Sequence, residues 1–463
     1  FQMLEEYAGT SFFERHGWIR STFFIALVAG ILIRCFCIPF TYDYDTYHWA
    51  VIIQNIDSGN GLYELFGYYY TPVWGYIMGF IDMFSNTFLS VSELGTHVSG
   101  LLTVEDLENM RHVATVTSPE FNALMKIPII LCDLLVGYIL YRFVGDWTGD
   151  RRKGGLAFAL WFLCPIVVYM SSVRGMFDSF SALLILLSTL LVLKGHYFSG
   201  GFMLALSTLL KLFPGSVVFV FIGLVLARHR CDGLAKRNLA LAVTGALLCF
   251  FIILLPNIIE GNVADSITFI SDRAGGFTLN LDTIFSMGGI LIALPFMIFM
   301  GHMMYRTKED IDRKFLIYTL LVLTISMFMN IGPQYVIVLL PFLVILICSC
   351  DRSYVVCWAL IGFGAFLSAF VLNNYSLLMS SSVYLGWPPY DVILSGFDWT
   401  EAYLFGTNSF RSIMNSVGYA FMGAGLILIF VFHYEDVLVR KCPKAEKYIE
   451  KIRRLSFRKE IVR

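Results

Sequence analysis

Residues 334–350 read Gln334-Tyr335-Val336-Ile337-Val338-Leu339-Leu340-Pro341-Phe342-Leu343-Val344-Ile345-Leu346-Ile347-Cys348-Ser349-Cys350, without one Asp, Glu, Lys or Arg. Coiled at about 1.5 Å per residue, such a run covers about 25 Å, most of a bilayer's hydrocarbon core of about 30 Å. It has no water-facing side, so it reads as a helix that crosses a membrane. Comparable apolar runs occupy 19–38, 123–145, 155–172, 177–195, 239–257, 284–304, 315–331, 354–372 and 413–434. The stretch 198–228 is too long for one crossing and is broken by Leu210-Lys211-Leu212-Phe213-Pro214, so it reads as a hairpin of two short helices. The expected fold is therefore all-α, a polytopic integral membrane protein of about 12 transmembrane helices.

Composition agrees. Hydrophobic residues make up 57% of the 463 positions, charged residues 14%, and the mean hydropathy is +0.72. A soluble chain carries roughly 25% charge. The net charge of −1 argues against a nucleic-acid partner. The ten cysteines mostly lie within apolar runs, with no CxxC pair, and read as small buried residues. Phe1–Arg20 is polar and mixed in charge, which reads as no signal peptide; the first helix, beginning near Ile19, is expected to remain as an anchor.

Lys and Arg collect in alternate loops. Arg151-Arg152-Lys153, Arg228 to Arg237, Arg306 to Lys314 and the tail after Arg440 form the basic set, which is expected to be cytoplasmic. The intervening loops 171–178, 258–282, 331–334 and 373–412 are poor in these residues and are expected outside or in a lumen. With Arg15 and Arg20 inside, residues 71–122 must cross an even number of times, most simply none. Thr71–Phe84 is short and interrupted by Pro72, Gly75 and Gly79, and Glu93, Glu105, Asp106, Glu108 and Arg111 follow it. Interfacial helices fit this better than a span. The chain thus divides into one transmembrane domain over 1–434, with a first extracytoplasmic loop at 39–122, and a basic cytoplasmic tail at 435–463. That tail reads as a solvated basic face near anionic lipid, without catalysis.

Polar residues concentrate on the outer side. Asp43-Tyr44-Asp45-Thr46-Tyr47-His48 directly follows the first span. Its carboxylates could serve as a general base, hold a divalent cation, or simply cap a helix. Arg34, Lys126, Asp133, Arg174, Asp178 and Lys211 lie in or beside spans, where a charge costs several kcal/mol unless paired or used. Cations gathered on one side suit a phosphate. The structural alternatives are snorkelling for Arg34 and Lys211, and a Lys126–Asp133 pair seven residues apart on one helix face. The aromatics Tyr68-Tyr69-Tyr70, Trp387-Pro388-Pro389-Tyr390 and Trp399 could stack on sugars or form an interfacial belt. Asn330-Ile331-Gly332-Pro333-Gln334-Tyr335 is a polar break between spans, and Asn374-Tyr375-Ser376 is a glycosylation sequon beside a span end.

The order of these motifs resembles GT-C glycosyltransferases, and within them the catalytic subunit of glycosylphosphatidylinositol mannosyltransferase I and its bacterial and archaeal relatives. The likeness rests on Asp43-Tyr44-Asp45, Gly61-Leu62-Tyr63, Tyr69-Tyr70-Thr71-Pro72 and Lys126-Ile127-Pro128 with Cys132-Asp133. Further along it rests on Cys164-Pro165, Ser171 to Ser179, Lys211-Leu212-Phe213-Pro214 and Pro333-Gln334-Tyr335, in order over roughly 39–345. Cys164 stands where the family has asparagine and Leu62 where it has proline.

The resemblance implies an enzyme moving a hexose, chiefly mannose, from a polyprenyl-phosphate donor to a lipid-linked or glycan acceptor on the outer or lumenal face. It implies Asp45 or Asp43 as catalytic base, Arg174, Lys211 and Lys126 on the donor phosphate, and Asp178, His48, Tyr70, Gln334 and Tyr335 around sugar and acceptor. A divalent cation on Asp43 and Asp45 is the one cofactor this reading admits. The implied partners are donor, acceptor, membrane lipids and an accessory subunit, in a prokaryotic plasma membrane or the endoplasmic reticulum. The alternative reading is a transporter or flippase of a lipid-linked or phosphorylated sugar.

Overall fold

A computed structural model of the chain describes residues 22–63, 68, 70–88, 95–97, 115–261, 281–327, 332–372, 377–401, 403–405, 408–442 and 444–455. The expectations placed on Phe1–Arg20, Glu93, Glu105, Asp106, Glu108, Arg111, Tyr69, Asn330-Ile331, Asn374-Tyr375-Ser376 and the tail past 455 lie outside the described residues.

The architecture is all-α apart from two small antiparallel strand pairs. Helix α1 (Thr22–Phe40) is followed after three residues by α2 (Tyr44–Asp57) and then α3 (Pro72–Phe88). Strands β1 (Gly95–His97) and β2 (Thr115–Thr117) pair and lead into α4 (Pro119–Thr148). Ser118 caps α4 by accepting from the Phe121 N–H, and Gly149, at φ 66°, ends it. Helix α5 (Arg151–Phe162) returns at once and breaks at Pro165; α6 (Pro165–Val168) continues it at a bend of 51° and runs into a π-helical turn, Tyr169–Arg174. Helices α7 (Asp178–Leu193) and α8 (Tyr197–Leu210), a 3-10 turn (Phe213–Val217) and α9 (Val218–Arg228) form the next three passes. The Leu210–Pro214 break thus splits 198–228 into two helices. Then come α10 (Ala235–Glu260), α11 (Leu281–Arg306), α12 (Ile311–Met327), a 3-10 turn (Pro333–Tyr335), α13 (Val336–Ser349) and α14 (Tyr354–Leu372). Short helices α15 (Met379–Leu385) and α16 (Tyr390–Glu401) and strands β3 (Tyr403–Phe405) and β4 (Asn408–Ser409) precede α17 (Phe410–His433), α18 (Glu435–Lys441) and α19 (Lys444–Leu455).

Among the described residues five helices, α1, α4, α10, α14 and α17, are long and apolar enough to cross a membrane, and the bent α5–α6 pair makes a sixth. Helices α7, α8, α13 and the 213–228 segment are apolar but shorter. Twelve full-length crossings are therefore not reached by length and composition. Helix α13 gives the physical reason. Every residue from Val336 to Cys348 is buried by neighbouring helices, among them α7, α5, α12, α14 and α4. A helix wrapped in protein need not match the bilayer's thickness. By contrast α10 leaves Leu247, Phe251 and Ile259 exposed, and α1 leaves Leu32 and Phe36 exposed, as lipid-facing helices do. Helix α3, expected at the interface, packs on α2, α4, α8 and α10.

One ion pair lies deep between α1 and α4. Arg34 donates from Nη2 (2.8 Å) and Nε (3.3 Å) to Asp133 Oδ2, and from Nη1 to the Phe162 carbonyl (2.8 Å). Its guanidinium carbon stands 3.9 Å from the Phe162 ring centroid. The Ser171 hydroxyl donates to the same Asp133 oxygen at 2.6 Å, and Trp161 Nε1 donates to the Asp133 carbonyl at 2.8 Å. Two expectations are corrected here. Arg34 does not snorkel but is 1% exposed, and Asp133 pairs with it rather than with Lys126. Seven residues of helix separate Lys126 and Asp133 by about 10 Å along the axis, so each meets partners at its own depth.

Breaking a buried pair from one side strands a charge. Asp133→Leu or Arg34→Met alone should cost about 3–5 kcal/mol, while the double variant should regain most of that loss. Thermal unfolding of the purified protein checks this; equal losses in the single and double variants would show that the pair is not coupled.

Candidate functional site

Among the described residues, Asp43, Lys126, Arg174, Asp178 and Lys211 are buried at one end of the bundle, where α1, α6 and α8 finish and α2, α4 and α7 begin. Asp43 is the N-cap of α2, in extended backbone (φ −142°, ψ 163°), and its N–H donates to Thr46 Oγ1 at 3.3 Å. The helix-cap alternative is therefore real. It does not exhaust the residue. Arg174 Nε donates to Asp43 Oδ2 at 2.7 Å, and Arg174 Nη2 to Asp45 Oδ2 at 3.2 Å. One guanidinium thus clasps both acids of the Asp43-Tyr44-Asp45 motif. Burial raises the Asp43 carboxyl, Arg174 lowers it and the Asp45 charge raises it, which together leave it pushed up to about 6.

The π-helical turn explains how Arg174 reaches them. Its wider winding ends at Gly175, at φ 70°, a conformation a side chain would strain. The Met176 N–H then closes back on the Met170 carbonyl at 2.8 Å. The chain turns sharply there, so α7 opens with Asp178 beside the same end.

Lys211 lies at the extended C-cap of α8, with its Nζ 3.2 Å from Asp178 Oδ1. The contact is a buried ion pair. Three rings surround the ammonium: Phe177 at 4.6 Å, Tyr335 at 5.2 Å and Tyr70 at 5.7 Å. Lys211 is 7% exposed, so it does not snorkel. Lys126, fully buried, donates to the Thr41 carbonyl (2.6 Å), Thr41 Oγ1 (2.9 Å) and the Ile38 carbonyl (3.2 Å). The Ile38 carbonyl is one that the end of α1 leaves without an intrahelical donor.

The structure therefore joins Asp43, Asp45 and Arg174 in one cluster and Asp178, Lys211, Tyr70 and Tyr335 in another. Lys126 stands behind them, occupied by the end of α1. Gln334 is half-buried in the Pro333–Tyr335 turn, and half-buried His48 lies against Trp49, ring centroids 5.6 Å apart. Sequence reasoning missed the wall between the clusters. Trp74 stacks on Phe177 at 4.3 Å, and Trp49 contacts Trp74 (5.5 Å), Tyr70 (5.6 Å) and Phe177 (6.0 Å). A signal was present: Trp49 is four residues after Asp45, on the same helix face, and Phe177 directly precedes Asp178. The exposed Trp387 and Trp399 lie apart from this wall and suit a belt.

As to a metal, no group of three or more His, Cys, Asp or Glu side chains is placed to hold one among the described residues. The Asp43–Asp45 pair already holds a cation, the Arg174 guanidinium.

Comparison with known proteins corrects the functional expectation. The sequence model of one family, described as GPI transamidase subunit PIG-U, matches residues 101–291, less than half of the chain. No curated protein matches it. The matched family is not a glycosylphosphatidylinositol mannosyltransferase, so the expected polyprenyl-phosphate-dependent hexosyltransferase, with Asp45 or Asp43 as its base, is overturned. The matched stretch holds Lys126, Asp133, Arg174, Asp178 and Lys211.

Removing Arg174 should leave two acids facing each other. Arg174→Ala should lose about 3–5 kcal/mol. Asp43→Asn should cost more than Asp45→Asn, because Asp43 is fully buried while the Asp45 side chain is 15% exposed. Melting temperatures in detergent measure all three; an Arg174→Ala protein as stable as wild type would remove the pair's structural role.

Proposed function

We propose that this chain is a membrane subunit of a GPI transamidase, the kind of assembly that attaches proteins to GPI anchors. It acts there as one partner among several, in the endoplasmic reticulum membrane. The observation that carries this reading is the match over 101–291, which covers α4, α6, α7 and α8 of the polar end, with Lys126, Arg174, Asp178 and Lys211, while α1, α2 and the Pro333–Tyr335 turn lie outside it. The geometry supports it in a second way. Both acids a sugar transfer would need as base are held by Arg174, and Asp178 is held by Lys211. A charge-balanced end of this kind suits binding and assembly, with the bond-making chemistry supplied by another subunit. Its reachable members, Asp45, His48, Tyr70, Gln334 and Tyr335, are the ones we assign to contact with the anchor's sugar-phosphate portion.

Depleting the protein from cells tests the reading directly. Complete, fully mannosylated GPI lipid should accumulate together with uncleaved protein precursors, and the protein should co-purify with the other subunits of the transamidase. Accumulation of mannose-deficient lipid intermediates instead would overturn it. Tyr335→Ala should lower anchor attachment several-fold while leaving co-purification unchanged; unchanged attachment removes the assignment of the polar end alone.

A further inference from the structure

The basic tail read from the sequence folds into a helix with two unlike flanks. Helix α18 begins at Glu435, two residues after α17 ends at His433, and α19 follows over Lys444–Leu455. Ile449 is 3% exposed and belongs to the main core, with Ala445 and Ile452 packed against it. Arg453 bridges Glu435 at 2.5 Å and Asp351, in the turn between α13 and α14, at 3.4 Å. These contacts hold α19 against the ends of α13, α14 and α17, at the opposite end of the bundle from Arg174. The helix therefore cannot drift from the membrane surface that α17 leaves.

At about 100° per residue, Ala445, Ile449 and Ile452 share the packed face. Glu446 and Glu450 lie about 90° and 130° to one side of its centre, Tyr448 and Lys451 about 70° and 130° to the other, and Lys447 lies opposite it. All five are exposed, Tyr448 to 68%. Helix α18 adds exposed Arg440, Lys441, Val437 and Leu438. An exposed tyrosine between two lysines is poorly placed for water alone. Its amphipathic ring suits the headgroup level of a bilayer, and lysines there meet anionic phosphates.

We infer that the Lys447–Tyr448–Lys451 flank of α19 docks on the anionic phospholipid headgroups of the adjacent leaflet, anchoring this end of the bundle to lipids of negative charge. The occupant follows from the charge of the flank and from the chain's continuity with α17. Glu446 lies across the helix from Tyr448, while Glu450 borders Lys447. This inference is independent of the transamidase reading.

The test uses the full chain in nanodiscs of phosphatidylcholine, with and without phosphatidylserine, and follows amide hydrogen exchange over residues 444–455. Phosphatidylserine should slow exchange by about thirtyfold, the conversion of two lysines at about 1 kcal/mol each, and high salt should reverse the effect. Lys447→Glu with Lys451→Glu should abolish the dependence; should that variant melt early, Lys447→Gln with Lys451→Gln serves in its place. Glu446→Gln with Glu450→Gln should leave the dependence intact. Equal exchange in the two discs overturns the inference. So does protection seen only with partner proteins bound, which would make the flank a protein interface.

Discussion

A charge that leaves water must find another charge or a set of dipoles, and in this bundle that requirement decides where helices begin, bend and end. Arg34 meets Asp133 between α1 and α4, and Arg174 meets Asp43 and Asp45 between α6 and α2. Lys211 meets Asp178 between α8 and α7, while Lys126 meets only carbonyls and a hydroxyl at the end of α1. All but the Lys211–Asp178 contact, which joins consecutive helices, tie together elements far apart in the chain. Attraction across these pairs offsets desolvation only where geometry is good. Their contribution is therefore better understood as fixing which helix ends meet than as net stability.

The backbone bends to meet that requirement. Pro165 removes a helical hydrogen bond, the turn at Tyr169–Arg174 widens, and Gly175 reverses the chain at φ 70°. A straight helix through this region would not have the same turn at its end to aim Arg174 at the acids. Around this end the aromatic wall of Trp49, Trp74 and Phe177 replaces water with rings, which strengthens the electrostatic contacts it encloses.

Much of this was legible beforehand. Apolar runs marked the helices, the Leu210–Pro214 break marked the α8–α9 division, and two acids after the first helix marked the polar end. The partners of the buried charges were not legible. Arg34 and Asp133 lie 99 residues apart, and no local pattern links positions on different helices. Lys126 and Asp133 looked paired because helical periodicity puts them on one face, but periodicity says nothing about depth. The central position of α13 was also hidden, since a helix buried in protein and one facing lipid have the same apolar sequence.

The functional expectation failed for a related reason. Two acids, an arginine and a lysine on one side of a membrane are what a phosphosugar site needs, and they are also what a polar bundle end needs to close on itself. Sequence order cannot separate these, because both require the same residues near the same helix ends. Distances can. When Arg174 lies within 3.2 Å of both acids and Asp178 is beside Lys211, the cations are already committed. A ligand phosphate would have to displace a buried carboxylate to reach them.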